Sequence, residues 1–238
     1  PEISVQLPDG KVREAASLPP PAAAAEPPHV APQVVMARKS HKQGVDPSHY
    51  LEVRRYHPKT PFTAFGEFID NSRNSGATEV HISSTGELHG QKLLRVRDDG
   101  PGIPNGDDGM KSALRLGRPA GAIHNVADGN GMYGTGLKSG CAALADDAIL
   151  FSKSQGTGQS IALYSHTMQV KEQFKDMEIP SCDVNNSSWS LRTLDIIMRH
   201  VPHRTTEELL SEFQHIEGES GFMIVLFNLV GSIGVDGD

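Results

Sequence analysis

Apolar residues recur at helical spacing between residues 59 and 74, where Thr60 and Pro61 form a typical helix start. At about 100° per residue, one side of this helix carries the predicted core positions, which are Phe62, Phe65, Phe68, Ile69 and Ser72. The opposite side carries Glu67, Asn71 and Asn74. The pattern therefore predicts a helix with an aromatic side in the core and a polar side that is either solvated or part of a site.

The rest of the chain alternates strand-like and helical segments. Strands are predicted at 79–83, 92–97, 147–153 and 222–229, and a further element at 158–169. Helices are predicted at 107–116, 135–144, 191–199 and 205–214, with a long loop at 117–130. The apolar run 223–227 is typical of a central buried strand. This order indicates an α/β (α+β) sandwich, with helices packed on one face of a mixed, mostly antiparallel sheet.

Composition divides the chain into three parts. Residues 1–45 are rich in Pro and Ala and are predicted to be a disordered arm, because they hold few large apolar groups. Residues 46–232 have the composition of a globular domain, and 233–238 form a tail. The formal net charge of −7 argues against a general grip on nucleic-acid phosphates by the whole domain. No apolar run approaches the roughly 20 residues of a spanning helix, so no membrane contact is expected.

Glycines are concentrated in residues 129–140, which read Gly-Asn-Gly-Met-Tyr-Gly-Thr-Gly-Leu-Lys-Ser-Gly. Such spacing leaves backbone N–H groups uncovered, so the loop is suited to hold an anion at the start of the following helix. The G-x-G-x-x-G of dinucleotide sites is also present, but no hydrophobic strand precedes it. A Walker A loop needs Gly where this chain has Leu137. By itself, the segment also fits a flexible surface loop that caps a helix.

Two further groups of residues suggest binding chemistry. Glu67 and Asn71 are four residues apart on one side of the first helix, so both side chains could face one ligand. Asp98 follows a predicted strand and is followed by Gly100 and Gly102. A carboxylate in this context is common in tight turns. It also fits a carboxylate that accepts a hydrogen bond from the amine of a base.

These signals resemble a known set of motifs when taken together. Their order in the chain is Glu67-x-x-x-Asn71, Asp98-x-Gly100-x-Gly102, and Gly131-x-x-Gly134-x-Gly136-x-Lys138. The ordered set resembles the three boxes of the GHKL ATPases, which include gyrase, heat-shock chaperones, histidine kinases and MutL. The phrases at 66–72, 131–140 and 147–153 are most similar to the microrchidia (MORC) ATPases. The resemblance covers about residues 50–230.

The resemblance implies a Bergerat-type ATP-binding fold with ATP and Mg²⁺ as ligands. Glu67 would be the general base for the attacking water, and Asn71 would bind Mg²⁺. Asp98 would accept a hydrogen bond from the adenine amine, with Gly100 and Gly102 letting the base approach.

The resemblance also assigns the glycine loop to the phosphates. The residues implied to bind nucleotide there are Gly131, Tyr133, Gly134, Thr135, Gly136, Leu137 and Lys138. The backbone N–H groups of Gly131, Gly134 and Gly136 would face the phosphates, and Lys138 would neutralise charge. One position departs from the family, because Phe222 stands after Gly221 where the family usually has a Thr near the adenine.

A cellular role is implied by the family alone. In microrchidia ATPases, ATP brings two domains together and the homodimer acts on chromatin in gene silencing, which implies a nuclear location. Contacts with DNA or chromatin are expected mostly outside this chain. A second α/β domain is expected beyond the tail and would supply a lysine to the terminal phosphate, so hydrolysis by this chain is expected to be slow. Two alternatives stay open: another GHKL ATPase, such as a MutL-like repair protein or a chaperone, and a non-catalytic ATP-binding module.

Overall fold

The computed structural model describes residues 2–6, 60–84, 87–105, 109–114, 136–184 and 191–230. The strands in these ranges are β1 (Glu2–Gln6), β2 (Glu79–Ser83), β3 (Glu87–Leu88), β4 (Gln91–Lys92), β5 (Leu94–Asp98), β6 (Ala145–Ser154), β7 (Gly158–Ser165), β8 (Ser181–Asp183) and β9 (Gly221–Leu229). The α-helices are α1 (Pro61–Ser75), α2 (Gly109–Leu114), α3 (Gly136–Leu144), α4 (His166–Glu172), α5 (Leu191–His200) and α6 (Thr206–Ser211), and a 3₁₀ turn spans Glu212–His215.

Seven strands form one sheet in the order β1-β2-β5-β9-β6-β7-β8, while β3 and β4 form a separate hairpin. Every neighbouring pair in the described part of this sheet is antiparallel. The last of the described strands, β9, lies between β5 and β6, and residues 223–227 are buried. The predicted α/β sandwich and its central apolar strand are therefore confirmed.

Helices cover both faces of the sheet, which corrects the prediction of one covered face. On one face, helices α1, α2 and α3 pack in a first hydrophobic core, which includes Phe68, Leu114 and Leu144. On the other face, α4, α5 and α6 contribute Met168, Ile197 and Leu209 to a second hydrophobic core. Along β6, Ala148 and Leu150 belong to the first core and Ile149 and Phe151 to the second. A strand buried on both faces is a continuous apolar run without polar alternation, as residues 148–151 of β6 are, and this run was the signal for a second layer of helices.

The strand β1 corrects part of the predicted disordered arm. Residues 2–6 pair antiparallel with β2, with Ile3 opposite Ile82 and Val5 opposite Val80. The Ser4 hydroxyl and His81 Nδ1 are 2.8 Å apart and add a side-chain contact. Five residues of strand-forming sequence thus find a partner that local composition could not indicate. The rest of the predicted arm, residues 7–45, lies outside the described residues.

Helix α1 spans Pro61–Ser75, within two residues of the predicted 59–74, and it starts after Thr60 as predicted. Thr60 Oγ1 accepts a hydrogen bond from Thr63 N at 3.3 Å, and Gly76 ends the helix with a positive φ of 92°. The buried positions are Ala64, Phe68 and Ser72, whereas Phe62 is 83% exposed. Phe62 was predicted to be in the core, but it lies about 120° from Phe68 around the helix and so falls at the edge of the buried stripe.

The predicted element 158–169 is two elements, β7 and α4, which meet at Ser165. The Ser165 hydroxyl accepts a hydrogen bond from Met168 N at 2.9 Å and so starts the helix. Asp147, which is buried on β6, accepts hydrogen bonds from the side chains of Ser165, Thr167 and Asn228. These contacts tie β6, β7, α4 and β9 together at one point. None of the helices in the described ranges is long and apolar enough to cross a bilayer.

Candidate functional site

The side chains of Glu67 and Asn71 meet the start of helix α3. A Cβ atom at Gly136 would lie 3.1 Å from Glu67 Cδ and 3.8 Å from Asn71 Nδ2, and Glu67 Oε2 is closer still. Glu67 is half-buried and Asn71 is exposed. The first N–H groups of a helix have no partner within the helix and carry partial positive charge. A carboxylate, an amide and the first N–H groups of a helix therefore come together at the start of α3.

Asp98 is fixed from two directions at the end of β5. Ser72 Oγ donates a hydrogen bond to Asp98 Oδ2 at 2.7 Å, and Gly100 N donates one to Asp98 Oδ1 at 3.0 Å. Burial raises the pKa of Asp98, although the hydrogen bonds from Ser72 and Gly100 act in the opposite direction. Ser72 follows Asn71 on α1, so this helix contributes to both ends of the candidate site. The sequence predicted Ser72 as a core residue and not as a site residue.

The neighbouring Asp99 has a different role. Its Oδ1 accepts hydrogen bonds from the backbone N–H groups of Thr78 and Glu79, both at 2.8 Å. Burial would raise the pKa of Asp99, but the hydrogen bond from the Thr78 hydroxyl and those from the two N–H groups outweigh it and lower the pKa. Asp99 therefore holds the connection between α1 and β2, and of the two carboxylates it is Asp98 that contacts Ser72 of α1.

The loop after Asp98 packs closely on β6 and β9. Gly102 has a φ of 68°, and a Cβ atom there would fall onto the Lys153 carbonyl group and 3.1 Å from the carbonyl oxygen of Gly221. The next residue, Ile103, exchanges two hydrogen bonds with the buried hydroxyl of Ser152. Glycine is thus required at position 102 by backbone packing, whatever ligand lies nearby. That Gly100 and Gly102 admit a base stays a prediction.

Lys138 lies in the first turn of α3 and its side chain is buried, with 1% exposure. It is close to Cys141: burial raises the pKa of this thiol to about 12, and the charge of Lys138 acts in the opposite direction. Leu137 is half-buried and packs against the first core. Phosphate contacts by these two residues stay predictions.

Four predicted site residues, Gly131, Tyr133, Gly134 and Thr135, lie outside the described residues, as does the predicted loop at 117–130. Phe222 is described: it is half-buried and pairs with Asp98 across the sheet. The aromatic side chain of Phe222 therefore lies on the same face of the sheet as Asp98, the predicted adenine-binding residue. The resemblance leads us to expect a hydroxyl at position 222.

The described side chains offer a limited set of metal ligands. In the ranges that the structure covers, no three His, Cys, Asp or Glu side chains come together as a metal-binding group. The amide of Asn71, exposed beside the start of α3, is an oxygen donor of the kind that Mg²⁺ accepts. Mg²⁺ usually keeps several water ligands and binds through one or two protein groups plus phosphate oxygens. The donor set therefore fits Mg²⁺ bound together with a phosphate ligand.

Comparison with known proteins identifies the family of this chain. A family described as histidine kinase-, DNA gyrase B-, and HSP90-like ATPase matches residues 59–193. The human protein ATPase MORC2 is 30% identical over 71% of this chain and 17% of its own length. The Arabidopsis thaliana protein MICRORCHIDIA 5 is 31% identical over 76% of this chain and 28% of its own length. The human MORC family CW-type zinc finger protein 1 is 29% identical over 71% of this chain and 18% of its own length. The chain thus spans less than a third of each of these relatives, and the predicted resemblance to microrchidia proteins is confirmed.

Proposed function

Because the chain belongs to the histidine kinase-, DNA gyrase B- and HSP90-like ATPase family, we propose that it binds ATP with Mg²⁺ and hydrolyses the ATP slowly. The observation that carries this proposal is the meeting of Glu67 and Asn71 with Gly136 at the start of α3. Its relatives include proteins named ATPases. A base, a metal ligand and anion-binding N–H groups are the parts that phosphoryl transfer to water requires.

On the phosphate side, Glu67 accepts a proton from the water that attacks the terminal phosphorus. The bond between that phosphorus and its bridging oxygen breaks, and ADP leaves with the electron pair. Asn71 would hold Mg²⁺, which would neutralise charge on the phosphates when bound. The triphosphate is bound by Lys138 and by residues of the glycine loop, in which the glycines act through their N–H groups. These loop residues are Gly131, Tyr133, Gly134, Thr135, Gly136 and Leu137.

On the base side, Asp98 accepts a hydrogen bond from the exocyclic amine of adenine. Ser72 and Gly100 hold the carboxylate in position by donating to it. Guanine presents a carbonyl oxygen where adenine has this amine, and two acceptors repel each other. The site therefore discriminates in favour of adenine nucleotides, and Gly100 and Gly102 leave room for the base.

The similarity to microrchidia proteins supports a wider role. We propose that residues 46–232 form the ATPase domain of a nuclear protein that dimerises when ATP binds. In this proposal the dimer acts on chromatin in gene silencing, with most DNA or chromatin contacts outside this chain. ATP favours the dimer only to the extent that it binds the dimeric form more tightly than the monomer.

Titration calorimetry with Mg²⁺ and the non-hydrolysable analogue AMPPNP tests the site. Wild type is expected to bind, Asp98→Asn to lose binding, and Asn71→Ala to lose the Mg²⁺-dependent part of the affinity. Glu67→Ala is expected to bind as wild type does but to release no phosphate from ATP. Asp99→Asn is the matched control, because Asp99 holds a backbone connection and should leave nucleotide affinity unchanged.

Three outcomes would contradict these roles. Wild-type affinity in Asp98→Asn would exclude the base contact, and loss of binding in Glu67→Ala would show that Glu67 is not a general base. Binding by wild type without any phosphate release would favour the alternative of a non-catalytic ATP-binding module. Sedimentation of the same samples with and without AMPPNP tests the dimer.

A further inference from the structure

One buried hydroxyl holds the backbone of the loop that follows Asp98. Ser152 Oγ accepts a hydrogen bond from Ile103 N at 2.6 Å and donates one to Ile103 O at 3.1 Å. Ser152 lies on β6 and its side chain is 0% exposed. The hydroxyl therefore pairs with both backbone groups of Ile103, much as a neighbouring strand would.

The position of Ser152 in the sheet explains which part of the site it controls. Asp98 pairs with Phe222 of β9, and Phe222 pairs with Ser152 of β6. Side chains that are directly opposite in neighbouring strands lie on the same face of a sheet. The segment 98–103 thus leaves the sheet at Asp98, passes over the end of β9, and is fastened again at Ser152. Its first residue is also held, by Ser72 of α1.

Further contacts extend this attachment along the same hairpin. Asn105 N donates to Thr157 Oγ1 at 3.2 Å, and Asn105 Nδ2 donates to the carbonyl oxygen of Gln159 at 3.2 Å. Gly102 rests against the Lys153 carbonyl group. The loop is consequently fixed to β6 and β7 by hydrogen bonds on one side of Ile103 and by close packing on the other.

We infer that Ser152 is a positioning residue for nucleotide binding, which fixes the base-side loop 98–103 through the backbone of Ile103. This inference rests on the proposed ATP site. Ser152 itself is fully buried and does not reach the ligand, so its effect passes through the loop. Its substitution should weaken recognition of the base and leave recognition of the phosphates at the start of α3 unchanged.

Ser160 provides a matched control. It pairs with Ser152 across the sheet and has a buried side chain with 1% exposure. Its hydroxyl has no hydrogen-bond partner among the residues that the structure describes. Ser152→Ala and Ser160→Ala therefore make the same chemical change at neighbouring buried positions, and only the first releases Ile103.

Binding of Mg²⁺-AMPPNP and of Mg²⁺-tripolyphosphate, which has no base, is measured by calorimetry for both variants. We expect Ser152→Ala to bind AMPPNP about tenfold more weakly than wild type, as for loss of a buried hydrogen-bond partner. Its affinity for tripolyphosphate is expected to equal that of wild type, and Ser160→Ala is expected to resemble wild type with both ligands. A change of less than twofold in AMPPNP affinity for Ser152→Ala, or an equal loss with both ligands, overturns the inference.

Amide hydrogen exchange of the ligand-free proteins measures how firmly Ser152 holds Ile103 in the absence of nucleotide. Ile103 should exchange at least tenfold faster in Ser152→Ala than in wild type or in Ser160→Ala. Unchanged exchange at Ile103 overturns the attachment even where nucleotide affinity falls. If wild type bound no AMPPNP while Ile103 exchange still depended on Ser152, the proposed ATP site would fail, and with it the role in nucleotide binding.

Discussion

Replacement of Gly136 by alanine would separate catalysis from stability at the candidate site. The added Cβ atom would lie closer than 3.0 Å to Glu67 Oε2, and such contacts are essentially never seen for real Cβ atoms. The carboxylate is the end of a flexible side chain, whereas Gly136 is fixed by helix α3. The expected response is therefore a shift of the Glu67 side chain and not a movement of the helix.

The size of the effect follows from that shift. A displacement of about 1 Å in a reacting group costs on the order of 100-fold in rate. The substitution also stabilises the helix, because alanine is favoured over glycine inside helices by about 1 kcal/mol, and by less at a first helical position. We expect the turnover of Gly136→Ala to fall about 100-fold while its free energy of unfolding stays within about 1 kcal/mol of wild type.

Single-turnover release of phosphate from ATP measures the loss, and urea unfolding measures the stability. Gly66→Ala is the matched control, since it makes the same change on helix α1, one residue before Glu67, where a Cβ atom would have no neighbour within 4 Å. Wild-type turnover in Gly136→Ala would refute the reasoning. An equal loss in both variants would refute it too, because no contact explains a loss at Gly66.

Two further predictions concern stability. Gly140→Ala places a Cβ atom 2.8 Å from the ring of Phe68 and 3.3 Å from the Ala64 carbonyl oxygen, so it should cost about 1–3 kcal/mol by overpacking; an unchanged urea midpoint would contradict this. Burial opposes the charge of Glu212, but hydrogen bonds from His203 and Arg95 and the charge of Arg95 outweigh it and lower its pKa to about 2. The stability that this depressed pKa contributes is present above pH 4.5 and is lost as the pH falls towards 2, by at most roughly 3 kcal/mol. In acid unfolding measurements Glu212→Gln should lack this part of the pH dependence and be destabilised at pH 7, and an unchanged acid profile would show that the ion pair contributes nothing.

The sequence predicted those elements whose own residues determine them. Helix α1 has its predicted start at Thr60 and a buried stripe, and β9 is a continuous apolar run. The strand β1 was missed because its five residues become a strand only by pairing with β2. Phe62 was misplaced because helical spacing identifies a side of the helix but does not show where the core ends.

The candidate site was only partly accessible to sequence reasoning. The resemblance named Glu67, Asn71 and Gly136, but their meeting depends on how α1 packs against α3, which no local pattern encodes. Ser72 and Ser152 were missed for a different reason. A serine that holds a loop looks like any other serine until its partner is known, whereas a glycine loop or a carboxylate beside glycines has a recognisable spacing.

The insertion of β9 between β5 and β6 has a consequence for how the protein is made. During translation β5 and β6 are synthesised more than sixty residues before β9, so each strand has one unpaired edge until Leu229 has been added. Such edges are sites of association between chains, and long-range pairing slows folding. Among the strands that the structure describes, the one that joins the two halves of the sheet is synthesised last, so these two edges are the last to be paired.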